Sequence, residues 1–168
     1  MTMPGGEESV PTTVDLEHLH RCIALAEDAR SIGRHPFAAL VVGRDQVVLA
    51  VGQNNSMPPG GNPTQHAELR AAAEASLLAT PEELAQATLY SSAEPCVMCA
   101  GAIYWTGIGR VVYALSESEL LRLTGDNPEN PTMSMPCREV FARGQRDIRV
   151  LGPFLEAEAA VAHHGFWG

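Results

Sequence analysis

Two short patterns in the chain combine residue types that can hold a metal ion and transfer protons. The first is His66-x-Glu68, and the second, further along the chain, is Cys96-x-x-Cys99. One imidazole and two thiolates suit tetrahedral Zn²⁺, and three protein ligands leave the fourth position open for water. Two residues after His66, Glu68 can reach that water without being a ligand. We predict a catalytic zinc site of His66, Cys96 and Cys99, with Glu68 as general acid and base.

The elements around these patterns must bring the ligands together. The stretch QHAELRAAAEASLLA is rich in strong helix formers, and PCVMCAGAIYW is a short apolar segment opened by Pro95, so each predicts a helix. His66 and the two cysteines then lie at helix starts, where unpaired N–H groups and the helix dipole favour a thiolate. Both helix starts should therefore point at one metal.

The rest of the chain alternates helices with strands. Leu16, Leu19, Ile23 and Ala26 predict an amphipathic helix ending near Gly33. Short β-branched runs predict strands in PFAALVVG and QVVLAVG, which form a hairpin, and in ATLYSS, RVVYALS and RDIRVLG. Further helices are expected in ESELLRL, PCREVFARG and FLEAEAAVAHHGF. The pattern predicts an α/β fold with a mixed sheet covered by helices on both faces.

Length and charge limit the possible functions. A chain of 168 residues with 45% hydrophobic content predicts one domain, 14–168, after a flexible tail, 1–13. The net charge of −9, with all 11 basic residues arginine and no basic cluster, disfavours nucleic acid as a partner. The absence of a long apolar run and of a signal-like start predicts a cytoplasmic protein that does not engage membranes.

Two other interpretations of Cys96-x-x-Cys99 remain open. The pair could form a thioredoxin-like redox site, or a closed structural zinc site with a fourth ligand from Cys22, Cys137 or another histidine. Neither alternative uses Glu68 or explains the two matched helix starts.

His-x-Glu followed by Pro-Cys-x-x-Cys is the signature of zinc-dependent nucleobase deaminases. The stretches GQNN, NPTQHAE, LYSSAEPCVMCAGAIYW and GRVVYALS, between Asn54 and Leu115, resemble the cytidine and deoxycytidylate deaminase superfamily, and within it small purine deaminases similar to bacterial guanine deaminase. The resemblance implies a three-layer α/β/α fold with a five-stranded mixed sheet, a homodimer, and zinc as the only cofactor. It also implies that Asn54 hydrogen-bonds the base, that Phe37 and Trp105 pack near it, and that Ala67 adjoins it.

The implied substrate is a free nucleobase or nucleoside, with an aminated, guanine-like purine favoured. Two departures qualify this: PFAA stands where such enzymes usually have PFGA, and LTGDNPENPT replaces an acidic GFDD-like segment. Asp126 could replace that segment's acidic contact to the 2-amino group of the base. Alternatively, its side chain caps the turn in which it lies. Phe166 and Trp167, near the C-terminus, are candidates for a lid over the site or for plain packing.

Three competing functions follow from the same residues. A cytosine or cytidine deaminase comes next after the purine enzyme. A tRNA adenosine deaminase is third, because it needs a basic face that this chain lacks. A zinc-stabilised binding module without catalysis would be expected if Glu68 were replaced, but Glu68 is present.

Overall fold

A computed structural model describes residues 10–168, which form one five-stranded mixed sheet. The strands are β1 (Ala38–Val42), β2 (Val48–Gln53), β3 (Thr88–Ala93), β4 (Arg110–Leu115) and β5 (Arg149–Leu151). Their order in the sheet is β2-β1-β3-β4-β5. β1 is antiparallel to both of its neighbours, whereas β3, β4 and β5 are mutually parallel. The predicted hairpin and mixed sheet are confirmed.

Helices cover both faces of this sheet. They are α1 (Thr13–Ser31), α2 (Ala67–Leu78), α3 (Pro81–Ala85), α4 (Val97–Thr106), α5 (Glu117–Thr124), α6 (Cys137–Ala142) and α7 (Glu156–Val161). α1 packs on β1, β3 and β4 and lies beside α7, where Arg30 donates to the backbone carbonyl of Ala162. α2 and α4 pack against each other, and α2 lies on β1 and β2. The predicted three-layer α/β/α fold is confirmed.

The close approach of α2 to the sheet depends on a glycine in β2. A Cβ atom on Gly52 would lie 2.0 Å from the backbone oxygen of Ala67, the first residue of α2. Any side chain there would push the start of α2 away from β2. Gly52 therefore helps to fix the helix start that carries His66 and Glu68.

One edge of the sheet collects the chain segments that can carry chemistry. Because β3 and β4 are parallel, both end at this edge, and the antiparallel β1 begins there while β2 ends there. Phe37 precedes β1 and Asn54 follows β2, and the Asn54 N–H donates to the Phe37 carbonyl over 3.0 Å. Ligands of open α/β sheets bind outside the carboxyl ends of parallel strands. The fold therefore places the site here.

Two features differ from the sequence-based description. α3 is an additional short helix, with Pro81 at its first position and a capping box in which Thr80 and Glu83 bond each other's backbone N–H groups. The Thr-x-x-Glu spacing was the available signal for it. Residues 1–9 of the predicted tail lie outside the described residues, whereas Thr12 and Thr13 form the N-cap and the start of α1.

No helix among the described residues is both long and apolar enough to cross a membrane.

Candidate active site

The predicted metal ligands meet at the starts of two helices. His66 is the N-cap residue of α2 and Cys96 is the N-cap residue of α4, while Cys99 lies in the first turn of α4. Their side-chain ligand atoms all lie within 4.8 Å of one another. The two N-cap side chains make no cap hydrogen bond. Both side chains are therefore available to bind one metal ion.

The geometry fits a tetrahedral zinc ion. Usual Zn–N and Zn–S bond lengths put a nitrogen and a sulfur ligand about 3.6 Å apart around one ion. Nδ1 of His66 lies 3.5 Å from Sγ of Cys96. The imidazole and the thiolate thus already have the separation that a common zinc ion requires, and three protein ligands leave one position open.

The electrostatics of the cluster favour a bound cation. The pKa of Cys96 is lowered to about 4, chiefly by a hydrogen bond with Cys99. Burial opposes this change, and a hydrogen bond with His66 adds to it. The hydrogen bond with Cys96 and burial raise the pKa of Cys99 well above its usual value, and the hydrogen bond with Cys96 raises the pKa of His66. One thiolate is thus present at neutral pH, and a cation would replace the protons that the other two ligands share with it.

Glu68 lies in the first turn of α2, buried beside these ligands. Its Oε1 accepts a hydrogen bond from the Ser91 hydroxyl over 3.2 Å, and its Oε2 lies 3.7 Å from Sγ of Cys99. Burial, reinforced by the negative charge of Cys96, raises the pKa of Glu68 to about 7. A carboxyl group with that pKa exchanges protons readily near neutral pH. The geometry therefore suits Glu68 to proton transfer.

A cavity of about 440 Å³ opens at the cluster. Four kinds of segment line it: the ends of the strands, the starts of α2 and α4, the start of α5, and the loop 125–136. Its lining residues include His35, Phe37, Asn54, Ser56, His66, Glu68, Glu94, Cys96, Met98, Glu117, Glu129 and Met133. The cavity is large enough to receive a small heterocycle against the metal ligands.

Asn54 presents a hydrogen-bond donor to this cavity. Its Oδ1 accepts from the backbone N–H of Ser56 over 2.9 Å and from the Ser56 hydroxyl over 2.8 Å. These two bonds occupy the carbonyl end of the amide, so Nδ2 is the end available to a ligand. Asn54 is 2% exposed, and its two hydrogen bonds from Ser56 fix the orientation of the amide.

The loop 125–136 covers the cavity and is held by two tethers. Glu129 accepts a hydrogen bond from Nε2 of His35 over 3.1 Å, and Nδ2 of Asn127 donates to the backbone carbonyl of Trp167. His35 is 5% exposed, and the ring of Trp167 packs edge-on against it. Trp167 thus holds the loop in place through its contacts with Asn127 and His35.

Four of the sequence-predicted substrate residues lie off the cavity wall. Trp105 is 78% exposed, because α4 starts at the cavity and carries this residue about 13 Å away along its axis. Asp126 is exposed beyond the far end of α5. Ala67 is fully buried under β2, and Trp167 lies behind Phe37 and His35. Of the predicted contacts, Asn54 and Phe37 line the cavity.

Sequence reasoning missed several charged or polar residues that line the cavity. His35 and Glu129 come from separate segments that only the tertiary fold joins, and no local pattern indicates them. Glu117 had a usable signal, because it directly follows β4 at the carboxyl edge of the sheet. Glu94 also lines the cavity, but its carboxylate accepts the backbone N–H groups of Glu117 and Cys137 and thereby orders the starts of α5 and α6.

The two other cysteines do not join the metal cluster. Cys22 is buried on α1 and its thiol donates to the backbone carbonyl of Tyr90, while Cys137 is buried at the start of α6. Within residues 10–168, the group able to hold a metal consists of His66, Cys96 and Cys99. A closed four-ligand site is therefore not formed by these residues.

The fold and site together define a metal-dependent hydrolase with an open coordination position and a buried carboxylate beside it. Over residues 12–115 the chain matches the model of the family described as cytidine and deoxycytidylate deaminase zinc-binding region. The chain belongs to this family. It is a zinc-binding deaminase, and the predicted resemblance is confirmed.

Individual relatives differ in the base that they are named for. A probable cytosine deaminase of Schizosaccharomyces pombe is 39% identical over 154 residues, 91% of this chain and 92% of that protein. The guanine deaminase of Bacillus subtilis is 38% identical over 102 residues, 60% of this chain and 64% of that protein. The solved structure of NE0047 in complex with 2,6-diaminopurine matches with a TM-score of 0.74 at 28% identity, covering 94% of this chain and 82% of that chain.

Proposed function

We propose that this deaminase acts on a small aminated nucleobase or nucleoside, with a guanine-like purine as its preferred substrate. His66, Cys96 and Cys99 would hold the zinc ion, and Glu68 would act as the general acid and base. The observation that carries the proposal is that these four side chains meet in one cluster, of which His66, Glu68 and Cys96 line the cavity.

The reaction exchanges an exocyclic C–N bond for a C–O bond. When bound, zinc supplies a Lewis acid that lowers the pKa of water at its open position. Glu68 accepts a proton as the water oxygen attacks the ring carbon, and donates it to the adjacent ring nitrogen. It then accepts the second proton, from the hydroxyl group now on that carbon, and passes it to the leaving amine. Ammonia leaves and an oxo-base remains. Nδ2 of Asn54 would donate to an acceptor of the base, and Phe37 would pack against its ring.

The preference for a purine rests on Glu129. Glu129 lines the cavity and its carboxylate is oriented by the buried His35, which gives the cavity an acceptor that does not belong to the metal cluster. Purines that carry an amino group and several ring N–H groups offer more donors to such an acceptor than cytosine does. Trp167 would act indirectly, by holding His35 and the loop in place.

Cytosine is the second candidate. It is favoured by the Schizosaccharomyces pombe relative, whose match covers 91% of this chain. The same metal ligands, Glu68 and Asn54 would serve a pyrimidine, so only the far side of the cavity distinguishes the two substrates.

The test is ammonia release from guanine, guanosine, adenine, adenosine, cytosine, cytidine and a tRNA anticodon stem. We expect the highest kcat/KM on an aminated purine. A cytosine preference would establish the second candidate, and activity confined to the tRNA stem would refute both.

The decisive variant is Glu68→Gln. An amide cannot exchange the proton that the reaction needs, so turnover should fall about 10³-fold or more. Zinc content and substrate Kd should remain near wild type, because other residues provide those interactions. Activity within tenfold of wild type would remove Glu68 from the mechanism, and loss of zinc would make it a structural support.

We also propose that the protein is a homodimer formed through α4. Met98, Gly101, Ala102 and Trp105 form one stripe on this helix, at the spacing that places residues on one face, and each is half-buried or exposed. A Cβ atom on Gly101 would meet nothing within 4 Å. Contacts within one chain therefore do not explain why this helix contains a glycine, which weakens helices, at a position where a side chain would fit. A second copy packed closely on the stripe would provide one.

A further inference from the structure

Glu117 is a buried carboxyl group in the cavity that the mechanism above does not use. It is the first residue of α5, directly after the Ser116 N-cap at the end of β4. The residue is 8% exposed and lines the same cavity as Glu68 and His66. Its side chain therefore has access to the cavity and little access to bulk solvent.

The Glu117 side chain has no hydrogen-bond partner among the described residues. Its backbone N–H donates to Glu94, and no described residue donates a hydrogen bond to its carboxyl oxygens, in contrast to those of Glu94 and Glu68. Arg122 on the same helix pairs with Glu119 instead. Among the described residues, the fully buried side-chain oxygen that lacks a partner is that of Thr124, so the Glu117 oxygens are open to the cavity and a ligand there can reach them.

The position of Glu117 places it beside the reacting region. The backbone N–H of Glu94 donates to the carbonyl of Leu115 over 2.7 Å, so the segment after β3, which carries Cys96, and the segment after β4, which carries Glu117, leave the sheet side by side. A heterocycle held at the metal ligands would thus lie next to the start of α5.

We propose that Glu117 contacts the substrate and determines specificity by accepting a hydrogen bond from a donor other than the leaving amine. This rests on the proposed function. A carboxyl oxygen accepts a hydrogen bond whether the group is neutral or ionised. The donor is a ring N–H if the substrate is a free base, and a ribose hydroxyl if it is a nucleoside. Substrates without a donor at this place leave Glu117 unpaired and are rejected.

Two substitutions separate hydrogen bonding from shape and charge. Glu117→Met keeps the approximate length of the side chain but cannot accept a strong hydrogen bond, whereas Glu117→Gln keeps a carbonyl acceptor. Glu119→Gln is the matched control, since Glu119 lies on the same helix outside the cavity and pairs with Arg122. Glu117→Ala is the second variant if the methionine variant does not fold.

We expect Glu117→Met to lower kcat/KM about tenfold or more, chiefly through KM, on the best substrate of the ammonia screen. Glu117→Gln should stay within about threefold of wild type, and Glu119→Gln should not differ from it. Zinc content and Tm, measured on the same preparations, show whether each variant is intact.

Substrate analogues identify the donor. For a free base the analogue has the ring N–H replaced by C–H, and for a nucleoside it lacks the 2′-hydroxyl. Wild type should be less active on the relevant analogue than on the parent compound. The Glu117→Met variant should be about equally active on the analogue and on the parent compound. Equal losses from the substitution on parent and analogue, or a fall in kcat with unchanged KM, would overturn the inference. Wild type that releases ammonia from none of the compounds would overturn the proposed function instead.

Discussion

Of the four cysteines of the chain, Cys96 alone has a lowered thiol pKa. Burial raises the pKa of the Cys22 and Cys137 thiols, and the carboxylate of Glu94 raises that of Cys137 further. Cys96 instead has its pKa lowered to about 4, first by its hydrogen bond with Cys99. Because only a thiolate binds a metal strongly, this environment prepares Cys96 for a metal. Cys99, whose pKa is raised by its hydrogen bond with Cys96 and by burial, has to release its proton when the metal binds.

Zinc content should therefore respond to the position of the substituted cysteine. The purified protein should contain about one zinc ion per chain, since three preformed ligands bind it tightly. Cys22→Ser and Cys137→Ser should retain that zinc, and Cys96→Ser should lose most of it. The measurement is elemental analysis of protein never exposed to chelator. Zinc loss from either of the first two variants would favour a closed structural site over a catalytic one.

Local spacing in the sequence was sufficient to predict which side chains meet at the two helix starts. His66, Glu68, Cys96 and Cys99 were predictable because each pair lies within one helix turn and its spacing encodes its geometry. Glu129 was not, because its position depends on its contact with His35, which is distant in the chain.

At the scale of elements, Asp15 joins the first helix to the sheet. Its carboxylate completes the capping box of α1 with Thr12. It also accepts a hydrogen bond from the Tyr90 hydroxyl on β3 over 2.8 Å and a two-pronged pair from Arg110 on β4 at 2.7 and 2.8 Å. Three elements are thus connected through one buried side chain.

Asp15→Asn should destabilise the protein in a pH-dependent way. Burial alone would raise the pKa of Asp15, but the bonds from Arg110, Thr12 and Tyr90 outweigh it, and the pKa lies well below its usual value. A lowered pKa stabilises the folded state fully above the unfolded pKa of about 4, and this contribution is lost progressively as the pH falls from there through the lower folded pKa. We expect a loss of about 2 kcal/mol or more at pH 7.

Urea unfolding at pH 7 and at pH 3 measures this effect. The difference in unfolding free energy between wild type and Asp15→Asn should shrink at the lower pH. Asp28→Asn, an exposed position on the same helix, is the control and should change little at either pH. A difference that is equal at both values would show that the charge of Asp15 does not contribute.

The elements with strong periodicity were predictable, and the loop over the site was not. The strand and helix patterns from PFAALVVG to RVVYALS matched the observed elements because burial on the sheet dictates them. The loop 125–136 consists of turn formers, which indicate a loop without indicating where it goes. Its path is set by the tethers from His35 and Trp167, so Asp126 was placed at the site instead of Glu129.

At the scale of the whole molecule, the α4 stripe connects the active site to the outer surface. Met98 lines the cavity, and Trp105 lies at the exposed end of the same face. A second copy packed on this stripe would cover Trp105 and border the cavity at Met98. Association and substrate binding should therefore be coupled.

Gly101→Leu tests this arrangement with little risk to the fold, because a side chain at Gly101 meets no atom of its own chain within 4 Å and leucine favours helix. Light scattering after size exclusion should give about twice the chain mass of 17.9 kDa for wild type and the single chain mass for Gly101→Leu and Trp105→Glu. Val161→Glu, exposed on α7 across the sheet, should remain dimeric. Because a partner on this stripe would border the cavity, both monomeric variants should show a raised KM with zinc retained. A wild type that is monomeric at all concentrations tested, or a Gly101→Leu variant that still dimerises, would contradict this interface.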